Sequence, residues 1–208
     1  MERLAVLTFA VAVATTALAH GPTRQKVVEE ITINAPIEEV WKEAGDFCSI
    51  AQWHPGVERC EREGKRRLLV LKGGYKIVDE LKKFQPERFM YKYKTKRMDA
   101  VSTLKWHGEE VQVPVIPVAN FSAVFQLKEV SDGATKAVWK GAFYRAYLKN
   151  DPPESMAEEA ARTAVRKFFQ EGLEGLKALV EGERRSRAFG RRDQGAGPSW
   201  DHGSQRPF

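Results

Sequence analysis

Residues 45–60 read GDFCSIAQWHPGVERC and hold both cysteines of the chain, Cys48 and Cys60, together with the Trp53-His54-Pro55 triplet. Three chemistries use such residues: a Cys/His nucleophile pair, half of a metal site, or a stapled wall of a pocket. A nucleophile pair needs a base that is itself oriented by a third group, and the stretch offers no recognisable one. Zinc takes about four ligands, and no His or Cys cluster in the chain has that spacing, so neither metal nor cofactor is expected. The decision between staple and Cys/His pair then rests on the compartment and on the elements around the stretch.

The compartment is indicated at the N-terminus. Residues 4–13 are apolar but too few to span a bilayer. They lead into TTALAH, where Ala17 and Ala19 satisfy the small-x-small pattern of signal cleavage. Residues 1–19 are therefore expected to be a cleaved secretory signal, with an exported mature chain that begins at His20 and has no membrane span. In an oxidising compartment, two cysteines without a third favour a Cys48–Cys60 disulfide. Such a loop stabilises a fold by about 2–3 kcal/mol.

At the other end, residues 182–208 are rich in Arg and Gly and lack any apolar period, which predicts a disordered basic tail. The formal net charge of +6 divides evenly between this tail and the body. That is too mild and too dispersed for nucleic-acid binding. Residues 20–181 remain as a single domain, long enough to bury its own core.

Within the body, residues 26–34 alternate as a strand, and Pro36 opens a short helix with Val40, Trp41 and Ala44 as its apolar stripe. Asp46 is placed to cap a second short helix. Strands follow at 57–63, 66–72, 75–84 and 88–97, separated by turn residues in hairpin fashion. A looser connection, 99–118, precedes strands at 120–130 and 135–147, which are joined at Asp132-Gly133. A long helix follows Pro152-Pro153, carries Ala161, Val165, Phe168, Gly172, Leu176 and Leu179 as its stripe, and is expected to stop at Gly182. This order predicts an α+β fold: a curved antiparallel sheet around a long C-terminal helix, with two short helices after the first strand and space for a cavity between the layers.

That order, with INAPIEEVW at 33–41, the stretch at 45–61 and GGYKIVDEL at 73–81, resembles the SRPBCC helix-grip superfamily of START-related and polyketide-cyclase-type proteins. AHGPTRQKV at 19–27 and VWKGAFYRAYLKNDPPE at 138–154 are similar to its MxaD-like branch. The superfamily resemblance implies a helix-grip fold with a hydrophobic cavity that takes a small hydrophobic ligand, as carrier or as cyclase/dehydratase. The branch resemblance implies a periplasmic accessory role in methanol oxidation, in the encounter of a PQQ-dependent methanol dehydrogenase with its c-type cytochrome.

The residues nominate their own site. Tyr75, Ile77, Asp79 and Leu81 share a strand face, so Asp79 is expected to point a carboxylate into the cavity. A buried carboxylate needs a partner, and Arg145, on the face of Trp139 and Phe143, is the expected one. Asp79 then reads as an acid or base beside a ligand, or as half of a structural ion pair. Trp53 is expected to plug the cavity. His54 reads as a base or ligand at its mouth, or as a residue hydrogen-bonded to backbone in a packed corner. Tyr91, Tyr93, Phe125, Trp139, Phe143 and Phe168 are expected to line the same space. Lys92, Lys94 and Lys96 share the opposite strand face, where they would be solvated or would steer an acidic partner.

Overall fold

The computed structural model describes residues 21–131 and 133–193, with side chains described up to 186. The expected signal at 1–19, Asp132 and residues 194–208 lie outside the described residues. The elements are β1 (Gln25–Ile33), α1 (Ile37–Ala44), α2 (Ile50–Trp53), β2 (Val57–Glu63), β3 (Arg66–Leu71), β4 (Lys76–Gln85), β5 (Met90–Met98), β6 (Ala100–Trp106), β7 (Glu109–Pro114), β8 (Val118–Ser131), β9 (Ala134–Arg145) and α3 (Glu158–Asp193).

Among the described residues seven strands form one sheet in the order β1-β9-β8-β5-β4-β3-β2, and β6 and β7 form a separate pair. Every neighbouring pair is antiparallel. The sheet's inner face and the apolar stripe of α3 bury each other, giving the helix-grip arrangement. Ala161, Val165, Phe169, Leu173, Leu176 and Val180 carry that stripe, while Phe168 and Leu179 sit half-buried at its edge. Trp139 is the centre of the core: its ring stacks on Phe169 at 4.4 Å and meets Trp53 edge-on at 5.7 Å.

α2 is pressed onto α3 by the absence of side chains. A Cβ at Gly175 would lie 1.9 Å from the Trp53 carbonyl oxygen, and one at Gly172 would lie 2.7 Å from the His54 ring. Two glycines one turn apart therefore give α3 a flat site for the Trp53-His54-Pro55 corner. Asp46 starts the chain into that corner, its Oδ1 accepting the Cys48 N–H at 2.7 Å. The Cys48–Cys60 disulfide, with Cα atoms 5.5 Å apart, then ties the turn before α2 to β2.

Three features differ from the sequence expectation. First, the connection 99–118 is a β-hairpin: β6 and β7 turn through His107 and Gly108, both at positive φ (49° and 80°), as a two-residue hairpin loop requires. Second, β4 and β5 pair with two register shifts, at Val78/Asp79 and Leu81/Lys83. A bulge moves the following residue to the other face, so Met98 and Phe84 turn toward the α1 and α3 side.

Third, α3 does not stop at Gly182 but continues to Asp193, so the first part of the expected disordered tail is helical. A glycine ends a helix only where the chain turns left-handed. Here the Glu181–Arg185 pair runs across Gly182, just after the Lys177–Glu181 pair, and supports continued helix.

Candidate functional site

The inner face of β3 and β4 carries one buried ion pair. Arg67 and Asp79 are direct partners in the β3–β4 register and are only 1% and 2% exposed. The Arg67 Nε and Nη2 both donate to Asp79 Oδ2, at 3.0 and 2.9 Å, and Arg67 Nη1 donates to the Phe47 carbonyl at 2.5 Å. Thr95 Oγ donates to Asp79 Oδ1 at 2.6 Å. The guanidinium lies 4.0 Å from the Phe47 ring centre and 4.8 Å from that of Tyr93, within cation–π range. Burial works against the Arg67 charge, but the Asp79 carboxylate, with Tyr93 and Tyr91 nearby, outweighs it and raises the guanidinium above its ordinary value. Burial also raises both phenols, Tyr91 to about 12, so neither ring ionises near neutral pH.

A small cavity lies over this pair. Arg67, Asp79, Tyr93 and Thr95 form its polar end, and Leu69, Ile77, Met98, Ile116, Phe121 and Phe168 form the rest of its wall. Its free volume is about 20 Å³, room for roughly one water. Aromatic side chains occupy the remainder of the layer between sheet and helix. Trp139 Nε1 donates to the Tyr93 hydroxyl at 3.1 Å, which satisfies the indole where no water reaches it.

His54 is held from both sides. Its Nδ1 accepts the Gly56 N–H at 3.0 Å, so its Nε2 carries the proton and donates to the Phe168 carbonyl at 2.9 Å. The Phe168 ring packs against the imidazole at 4.1 Å, tilted by 35°. Desolvation, with a smaller contribution from the Arg67 charge, lowers the imidazole to about 4. His54 is thus neutral at neutral pH, and both ring nitrogens are engaged by backbone.

The structure brings Asp79, Tyr93 and Phe168 of the expected site to the cavity and leaves the others elsewhere. Trp53, Tyr91, Phe125, Trp139 and Phe143 pack as core around it, each at most 3% exposed. Arg145 faces inward but does not meet Asp79. It lies at the end of β9, where it donates to the carbonyls of Tyr147 and Lys149 and pairs with Glu158 at the start of α3. The physical reason is position along the strand: sharing an inward face does not place two residues at the same height in the sheet. Arg67 takes the role expected of Arg145. The signal for it was present, because a hairpin centred on Gly73 puts residue 67 opposite residue 79.

A second, smaller core of Val113, Tyr147 and Met156 seats the β6–β7 hairpin against the connection to α3. Trp106 Nε1 donates to the Asp151 carbonyl at 2.7 Å, and His107 Nε2 meets the Asp151 carboxylate at 2.9 Å. On the outer face of β5, Lys96 pairs with Glu80 at 3.0 Å, whereas Lys92 and Lys94 pair with none of the described carboxylates. Among the described residues no helix is long and apolar enough to cross a membrane.

Comparison with solved structures agrees with this architecture. The chain is similar to the protein XoxI of Bacillus cereus, with 22% identity, a TM-score of 0.61 and coverage of 74% of this chain and 94% of that one. An uncharacterized protein of Bacillus thuringiensis matches at 21% identity and a TM-score of 0.61, over 75% of this chain and 98% of that one. The Zhui aromatase/cyclase of Streptomyces sp. R1128 matches at 18% identity and a TM-score of 0.55, over 81% and 99%. At such identities the likeness is one of fold alone. No curated protein matches the sequence. The family model described as polyketide cyclase / dehydrase and lipid transport matches residues 24–181, that is, the sheet, the hairpin and the buried length of α3. The chain belongs to the polyketide cyclase / dehydrase and lipid transport family, within the START-like SRPBCC superfamily.

Proposed function

We propose that this chain is an exported accessory protein that acts through its surface, bringing a methanol dehydrogenase and its c-type cytochrome together in the periplasm. One observation carries the reading. Asp79 and His54, the interior groups suited to acid–base work, have their polar atoms engaged by Arg67, Thr95 and backbone, around a space of about 20 Å³. Catalysis by either group would require breaking a buried bond. Lys92 and Lys94 on the outer sheet face, by contrast, pair with none of the described carboxylates and stand ready to meet a partner. The MxaD-like stretches at 19–27 and 138–154 support the choice of partners, and the Cys48–Cys60 disulfide is compatible with an exported chain.

The test is cytochrome c reduction by purified dehydrogenase with and without this protein. The expected result is faster reduction, slowed by the pair Lys92→Glu and Lys94→Glu and with that gain lost at high salt. Equal rates with and without the protein would overturn the reading.

A second reading keeps the cavity in use. The polar end at Arg67 and Asp79, facing the apolar side chains of Met98, Ile116 and Phe168, is suited to one small hydrophobic ligand, as a carrier or a cyclase/dehydratase would bind it. It requires those apolar walls to move apart. A ligand co-purifying with the protein from periplasm would favour it, and turnover of that ligand lost in Asp79→Asn with binding intact would make it an enzyme.

A further inference from the structure

On the outer face of the sheet, away from α3, the ends of β1, β8 and β9 enclose a shallow depression of about 450 Å³. Val138 lies buried at its floor, and Val28 and Val130 flank it at 53% and 54% exposure, among the most exposed large apolar side chains described. Lysines stand around it. Lys128 is directly opposite Lys136 across β8–β9, and Lys140 lies between Val124 and Val28 in the strand register. Lys136 pairs with Glu30 at 2.9 Å, but Lys128 and Lys140 pair with none of the described carboxylates. Like charges set directly opposite each other across strands are destabilising, and Glu30 compensates only the Lys136 member of the pair. Lys92, opposite Val124 on the next strand, extends the same basic rim toward β5.

We infer that this depression is a docking site for a protein partner that presents carboxylates around a protruding apolar side chain. An apolar centre ringed by charge is the anatomy of a protein interface, and carboxylates on the partner would relieve the Lys128/Lys136 opposition. A bilayer fits less well: its flat surface meets the lysine tips without filling a sunken floor, and Glu30 and Glu129 on the rim repel a continuous sheet of phosphates. The inference rests on the surface-acting reading above and specifies which surface acts.

The experiment measures binding of the full chain to the dehydrogenase and to the cytochrome, each immobilised, over a salt series. Three variants are compared: Lys128→Glu with Lys140→Glu, Val28→Asp, and Lys105→Glu on the hairpin as a charge control, each first shown to melt like the parent. The expected result is binding to one partner, weakening with salt, loosened at least about tenfold by the double reversal, loosened by Val28→Asp and unchanged by Lys105→Glu. Tight binding retained by both outer-face variants overturns the docking site and leaves the surface-acting reading standing. No binding to either protein, with no effect on cytochrome reduction, overturns both. Capture by phosphatidylglycerol vesicles that is lost in the double reversal, without binding to either protein, overturns the protein partner in favour of a membrane.

Discussion

Arg67 and Asp79 sit directly opposite each other on β3 and β4, and two guanidinium nitrogens converge on one carboxylate oxygen at 2.9 and 3.0 Å. Removing one member of a buried pair strands the other charge, which costs about 3–5 kcal/mol, whereas replacing both with apolar residues of similar size is often neutral or stabilising. Asp79→Asn is therefore expected to lower unfolding free energy by that amount, and Arg67→Met with Asp79→Leu to lower it far less. Urea denaturation of the two variants checks this. A single substitution that costs under about 1 kcal/mol would remove the pair from the structural core of the protein.

The layers of the fold were legible because their signals are periodic: alternation in β1, β5, β8 and β9, and three- and four-residue spacing in α3. The inward face of Asp79 was legible for the same reason. Its partner is Arg67 and not Arg145, because a shared face says nothing of height in the sheet, whereas a hairpin centred on Gly73 sets residue 67 opposite residue 79. The β6–β7 hairpin is not legible in the sequence because His107, at φ 49°, occupies the turn position where Asn or Gly is the usual signal. Bulges were invisible for a deeper reason. Lys82 and Lys96 are ordinary strand residues on the page, and only pairing against a partner strand reveals that each is one residue too many.

Glycines in α3 are expected to respond to alanine with opposite signs. Alanine is favoured over glycine within a helix by about 1 kcal/mol, and at Gly182 no described atom beyond the neighbouring residues and local helix backbone lies within 4 Å of the new methyl. Gly182→Ala should therefore raise stability by up to that amount. At Gly175 the methyl would lie 1.9 Å from the Trp53 carbonyl oxygen, so the corner must move off the helix. Overpacking costs about 1–3 kcal/mol, and Gly175→Ala should be destabilising on balance. Thermal melts of the two variants decide it, and a stabilised Gly175→Ala would show that the corner is not seated on the helix as described.

The Cys48–Cys60 bond should contribute through the unfolded chain, since it closes a loop of 12 residues in sequence separation. Reduction, or the pair Cys48→Ser and Cys60→Ser, is expected to lower stability by about 2–3 kcal/mol while leaving far-ultraviolet dichroism unchanged. The core around Trp139 and α3 does not depend on the bond. Unchanged denaturation midpoints with and without reductant would rule the contribution out.

His54 should make the protein less stable in mild acid. Its imidazole titrates at about 4 in the fold against an ordinary 6.5, chiefly because burial disfavours the charged ring. Between those values the unfolded chain takes up a proton that the native state refuses, so stability falls as pH drops from 6.5 toward 4. Above 6.5 the ring is neutral in both states and adds no slope; below about 4 it is charged in both, and its contribution is fully lost. The accumulated loss is about 3 kcal/mol. Glu181, whose carboxyl the Asn34 N–H and Lys177 hold below its ordinary value, adds acid sensitivity mainly at the lower end of that range. The discriminating comparison is thus the stability slope in the upper part of the window, which His54→Gln should flatten by removing the titrating ring. Ring nitrogen resonances of the parent should show the neutral Nε2–H form persisting well below pH 6.5. A ring that protonates near 6.5 would mean that Phe168 and Gly56 do not hold it, and that His54 is free to act at the cavity after all.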